Sequence, residues 1–368
     1  MLKKFLTATK YILGYYLYET NKLNDQINLI IVDGPTAVSV TEVLSQKSGD
    51  LNFFIPVQYI PLVADTKIDK SRVIYPSLYI LIYIILSTFV LWFFRRKESL
   101  LNLLSSRILE SVTNKNRRLI ANIVTYNERG FLPSFAIHIS KLLGIRSCCI
   151  QHGAIVEKYF PINVDVYFTW SDYFSSLINQ RHSDVKTVNV GRLDYKTPMA
   201  NSSSCTDFPL VVLQPGDVSI TYELVFKDFL NIIETCLSIY NGVVLRPHPN
   251  DNILDKLRVK LDNDNRIFID NEPLSVSLSK RKVVISLYST VLIEASISDC
   301  IAIQYINYDW YVPMFKRSTN LVCGREALQE KLLKIFNQKD IHEFKKNEQL
   351  VSLPDYKLFF NLLTKVKL

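Results

Sequence analysis

Apolar positions along this chain alternate between two rhythms. Short, mainly apolar runs occupy residues 27–33, 119–124, 146–150, 164–169, 187–190, 210–213, 242–245, 266–269, 283–286 and 301–305. Runs of that length bounded by turn residues predict strands buried on both faces, as in a parallel sheet. Between them, apolar residues recur every three or four positions, which predicts helices over 38–44, 100–116, 135–143, 173–180, 223–239, 289–298, 325–337 and 355–366. Gly144 closes the third of these as a C-terminal cap. Strands that alternate with helices argue for α/β architecture.

The stretch 196–208 breaks the rhythm. It is polar, Ser-rich and contains Pro198, and the alternation restarts after it. We therefore divide the chain into a first domain (1–198), a linker (199–208), a second domain (209–350) and a terminal helix (351–368). A chain of 368 residues suffices for two cores.

Residues 73–94 carry no charge and end at Arg95, Arg96 and Lys97. A helix of that length reaches across a bilayer, and the basic flank suits its cytoplasmic side. Three placements fit: a membrane-embedded or monotopic element, a single span, or a buried part of the first domain. No cleavable signal peptide is expected at the amino terminus. The six cysteines form no C-x-x-C pair, so a reducing cytoplasmic setting is expected. The net charge of +8, from 43 basic and 35 acidic residues, suits an anionic partner such as a phosphorylated substrate or an acidic lipid surface. No dense basic block with interleaved aromatics points to nucleic acid.

In open parallel sheets, ligands sit at the carboxyl ends of strands. The polar residues that directly follow predicted strands are Glu128; Gln151, His152 and Gly153; Arg192 after Gly191; Gln214 and Gly216; Arg246 and His248; and Ser289 with Thr290. Six such groups from two halves predict a cleft between two domains. Ser289 and Thr290 open a helix whose free N–H groups attract phosphate, with Glu294 one turn on as an acceptor for ribose hydroxyls. An ordinary N-cap serine explains the same pattern. Arg246 offers a forked phosphate donor and His248, set between two prolines, a proton donor; a rigid turn with a satisfied histidine is the alternative. His152 would line the cleft, and Gly153 would allow close approach of a ligand. Glu128 is the leading candidate for a general base, with Asp33 in reserve. A P-loop, a G-x-G-x-x-G fingerprint and a G-x-S-x-G elbow are all absent.

Residues 128–153, 190–195, 211–216, 245–251 and 286–295 together resemble the GT-B glycosyltransferases that build bacterial capsule and O-antigen polysaccharides. The pair His248–Pro249 and the later Ser289–Thr290 are similar to those of bacterial sialyltransferases and polysialyltransferases. Related patterns occur in Kdo transferases, CDP-glycerol polymerases and the non-hydrolysing UDP-GlcNAc 2-epimerase. The resemblance implies two Rossmann-like domains with parallel sheets facing a central cleft. It also implies His248, Ser289 and Thr290 on the phosphate of a nucleotide-sugar donor, CMP-sialic acid by preference. A first-domain carboxylate would activate a hydroxyl of a lipid-linked oligosaccharide at the cytoplasmic face of the inner membrane. No metal or other cofactor is expected. The sialyltransferases carry an acidic-acidic-Gly motif for their base; this chain has only Asn127-Glu128-Arg129-Gly130 and Val32-Asp33-Gly34. A non-catalytic membrane scaffold is the remaining alternative.

Overall fold

The computed structural model describes residues 27–47, 51–55, 68, 72–73, 100–128, 130–153, 155, 160–194, 207–214, 221–248, 253–262, 264–298, 300–307, 320–337 and 351–364. The chain divides into two compact units, one drawn from Met1–Tyr195 and Val351–Leu368, the other from Lys196–Leu350.

The first unit contains strands β1 (Ile27–Ile31), β2 (Leu51–Phe54), β3 (Ile120–Thr125), β4 (Arg146–Ile150), β5 (Val166–Thr169) and β6 (Lys186–Asn189). Its helices are α1 (Pro35–Lys47), α2 (Leu100–Lys115), α3 (Phe131–Leu143), α4 (Asp172–Asn179) and the returning α10 (Tyr356–Thr364). The sheet runs β2-β1-β3-β4-β5-β6, and every registered pair is parallel. Every residue of β1 and β5 is buried. That explains why those segments read as mainly apolar runs without strict alternation. Gly144 takes the left-handed conformation at φ 65° and donates its N–H to Lys141 O, closing α3 as expected.

The last helix belongs to this sheet. Phe359 and Leu363 join the first unit's core, and the Phe359 ring meets Phe168 edge-on at 5.0 Å. The final carbonyls of a helix lack intrahelical donors. Here Arg146 Nη1 donates to Leu362 O at 3.0 Å and Asn122 Nδ2 donates to Leu363 O at 2.9 Å. Just before α10, residues 351–355 cross the ends of β5 and β6. Ser352 N donates to Trp170 O, and Arg192 N donates to Ser352 O.

The second unit contains β7 (Leu210–Val212), β8 (Val243–Arg246), β9 (Ile267–Ile269), β10 (Val283–Ser286), β11 (Ile301–Ile306) and β12 (Leu321–Cys323). Its helices are α5 (Thr221–Ile239), α6 (Leu254–Lys260), α7 (Leu274–Ser279), α8 (Val291–Ile297) and α9 (Gly324–Asn337). The sheet order is β12-β11-β10-β7-β8-β9, again with parallel pairs. Counted from its own first strand, this is the doubly wound 3-2-1-4-5-6 order.

Apart from Val73, which forms an isolated parallel bridge to Phe53, the hydrophobic stretch 73–94 lies outside the described residues. Most of the linker 199–208 does too. Among the described residues, no helix is long and apolar enough to cross a membrane.

Candidate functional site

A strand order that reverses direction leaves a crevice at the carboxyl ends of the two strands flanking the reversal. In the second unit those strands are β7 and β10; in the first they are β1 and β3.

At the β7/β10 reversal, Ser286 Oγ donates to Val212 O at 2.7 Å. One step further out, Tyr288 N donates to the Gln214 side chain at 2.9 Å. Ser289 follows and is nine-tenths buried, with 8% exposure. Its Oγ accepts from Val291 N at 3.2 Å, so the hydroxyl serves the opening turn of α8, the ordinary role of a serine there. Thr290 has helical backbone angles and makes no side-chain cap. Glu294 lies half-buried in the first turn of α8. Gly216 lies outside the described residues.

Arg246 ends β8 beside this edge. Its Nη1 donates to Asp270 Oδ2 at 2.7 Å, to Glu272 O at 2.8 Å and to Ser277 Oγ at 3.0 Å. The carboxylate of Asp270 is buried and compensates the guanidinium charge. His248, two residues on, is exposed. Arg246 thus ends a strand, as the sequence pattern predicts, and its Nη1 is engaged by the segment after β9 and by α7.

In the first unit, Glu128 lies just past β3 and is 6% exposed. Cys149 Sγ donates to its Oε2 at 3.3 Å. Burial, then the Glu128 charge, push the Cys149 thiol well above its usual range, so it stays protonated and acts as a donor. Gln151 is buried just past β4. Its Oε1 accepts from Trp170 N at 2.8 Å, and its Nε2 donates to Gly153 O at 2.9 Å, which fixes the turn that carries the half-buried His152. Arg192 is held by Asp194, with Nε to Oδ1 at 2.9 Å, and lies over the Trp170 ring at 5.0 Å. Asp33, half-buried at the end of β1, points its Oδ2 at Gly130; a β-carbon on Gly130 would lie 3.2 Å from that oxygen.

The bonds thus gather Gln214 with the turn before Ser289, Gln151 with Gly153, and Glu128 with Cys149. Arg192 and Arg246 are each tied to a neighbouring aspartate. Two buried residues of the second unit escaped sequence reasoning. Asp270 follows a strand just as the chosen residues do. Gln304 interrupts the apolar run of β11 and is fully buried, a polar residue in a core strand that must be hydrogen-bonded. Among the described residues, no group of three or more His, Cys, Asp or Glu is placed to hold a metal ion.

The burial pattern also predicts thiol reactivity. Cys148, Cys149, Cys236 and Cys300 are buried, and Cys323 is exposed. Burial raises the Cys148 thiol to about 12. A thiol reagent on the native protein is expected to label Cys323 at least ~100-fold faster than these four, since the thiolate is the reactive form. Peptide mass mapping after brief labelling checks this.

No family model matches the sequence, and no curated protein matches it. Solved structures do match in fold. The S. aureus MnaA–UDP co-structure aligns over 93% of this chain and 99% of its own, at 11% identity and a TM-score of 0.56. UDP-GlcNAc 2-epimerase from Neisseria meningitidis bound to UDP-GlcNAc aligns over 93% and 100%, at 12% identity and a TM-score of 0.55. The Methanocaldococcus jannaschii UDP-GlcNAc 2-epimerase, in complex with UDP-GlcNAc and UDP, aligns over 93% and 100%, at 13% identity and a TM-score of 0.56. At such identities the likeness establishes the fold, and that fold is of the GT-B type, with two Rossmann-like domains.

Proposed function

We propose that this chain is a nucleotide-sugar-using enzyme that binds its nucleotide along the carboxyl edge of β7, β8 and β10. The observation that carries the reading is the hydrogen-bonded polar edge at the β7/β10 reversal, where Gln214 and the turn before Ser289 meet. The full-length fold likeness to enzymes bound to UDP or UDP-GlcNAc supports a UDP-sugar, and an epimerase-type reaction that needs no acceptor. In this reading, within the second unit, His248 reaches the diphosphate and Thr290 and Glu294 line the nucleotide.

A second reading rests on the His248–Pro249 pair and Ser289–Thr290. It is transfer of sialic acid from CMP-sialic acid to a hydroxyl of a lipid-linked O-antigen or capsule oligosaccharide at an anionic membrane surface. Phosphate charge would then be met by His248 and the strand-end donors of the second unit.

Thermal unfolding with UDP, CMP, CDP and GDP separates the two. A ligand at about 100-fold its Kd adds roughly 2.7 kcal/mol to stability. A shift with UDP, and conversion of UDP-GlcNAc without acceptor, is the expected outcome. A shift with CMP alone selects the transferase, and no shift with any nucleotide overturns both readings. Under either, His248→Ala is expected to lower turnover at least ~100-fold with the melting temperature unchanged, as loss of a general acid does. An unaltered rate removes His248 from the reaction.

A further inference from the structure

The peptide unit joining Leu287 to Tyr288 lies just past the end of β10, where the sheet's backbone ladder has stopped. Both of its polar groups are nevertheless satisfied, and both by glutamine side chains. Its N–H, on Tyr288, donates to Gln214 Oε1 at 2.9 Å. Its C=O, on Leu287, accepts from Gln304 Nε2 at 2.9 Å. A trans peptide points these groups in opposite directions, and the two glutamines come from opposite sides. Gln214 follows β7 and Gln304 sits in β11, the two strands that flank β10. Gln304 is fully buried and Gln214 is 7% exposed. The side chains thereby extend the hydrogen-bonding ladder by one peptide beyond the last strand residue.

We propose that Gln304 and Gln214 are positioning residues that lock the orientation of the 287–288 peptide, and through it present Ser289 and Thr290 to the nucleotide. The inference rests on the reading of this edge as the nucleotide site. With both ends gripped, the peptide plane does not rotate, so the backbone directions of the next two residues are set before ligand arrives. Such pre-organisation strengthens binding by removing an ordering cost. Neither glutamine needs to touch the ligand for this. The pairing also explains why a glutamine interrupts the apolar run of β11, where an aliphatic residue would pack equally well but leave the Leu287 carbonyl buried without this donor.

The test combines amide exchange at Tyr288 with UDP binding, in the full chain and in Gln304→Met and Gln214→Met. Methionine keeps the length and shape of glutamine without its amide. The expected result is Tyr288 exchange about tenfold faster and UDP binding about tenfold weaker in each variant, with amides of α5 still protected. Gln214→Met, at the less buried position, serves if Gln304→Met does not fold. UDP affinity unchanged although the Tyr288 amide has been freed, or exchange unchanged in both variants, overturns the proposal while leaving the nucleotide reading intact. If CMP rather than UDP stabilises the unaltered chain, the same comparison is made with CMP; absence of binding of UDP, CMP, CDP and GDP alike by the unaltered chain defeats that reading, and this inference with it.

Discussion

Gly191→Ala is expected to destabilise the first unit by roughly 4 kcal/mol, far more than a surface glycine should. Gly191 holds φ at 72°, which costs a residue with a β-carbon about 1–2 kcal/mol. Space is the larger obstacle. A β-carbon there would lie 2.1 Å from Leu353 O and 2.5 Å from Leu353 C, both backbone atoms with no rotamer to yield. The crossing segment 351–355 has to lift. Lifting it breaks Ser352 N to Trp170 O at 2.7 Å, Arg192 N to Ser352 O at 3.2 Å and Asn189 Nδ2 to Ser352 Oγ at 3.1 Å. At about 1 kcal/mol each, these bonds bring the total to the stated range. Gly144→Ala is the internal control. Its φ is 65°, and nothing lies within 4 Å of its missing β-carbon, so about 1 kcal/mol is expected. Urea unfolding of the two variants measures the difference, and equal losses would show that segment 351–355 exerts no constraint at Gly191.

That glycine illustrates what the sequence conveys and what it withholds. The predicted runs at 146–150 and 283–286 coincide with β4 and β10, because strands buried on both faces are mainly apolar. β2, β12 and the short helices α6 and α7 went unpredicted. β2 (LNFF) and β12 (LVC) offer too few residues for periodicity, and the helices offer barely two turns. Position after a predicted strand marked Arg192, Gln151, Gln214 and Arg246 as site residues, and each does sit at or just past a strand end. The logic could not reveal what each one holds. Gly191 makes room for a segment more than a hundred and fifty residues away in sequence, and Gln151 and Gln214 accept from backbone groups past neighbouring strands. Strand neighbours in a doubly wound sheet are set by crossovers, so the partner of a strand-end side chain is not readable from local spacing.

Arg246 carries the second large expectation, through its partner. Asp270→Ala is expected to destabilise the second unit by about 3 kcal/mol, the lower end for breaking a buried pair by removing one member. The lower end applies because the Arg246 side chain is 21% exposed while that of Asp270 is 3% exposed. Water can therefore relieve part of the orphaned charge. Glu272 O and Ser277 Oγ continue to accept from Nη1 in the variant, but neither neutralises it. Asp270 Oδ1 also accepts from Glu272 N at 3.2 Å, so the alanine variant loosens the chain between β9 and α7 as well. Asp270→Asn keeps the shape and an acceptor oxygen and removes only the charge, so a loss of about 1 kcal/mol is expected. The same pair bears on binding. Asp270 offsets the charge Arg246 would otherwise offer to an anion, so Asp270→Asn is expected to tighten UDP binding about threefold, as one nearby charge does when partly screened. Tighter binding with modestly lower stability would make Arg246 a phosphate donor restrained by Asp270. Unchanged affinity would make it a structural tie between β8 and the segment leading into α7.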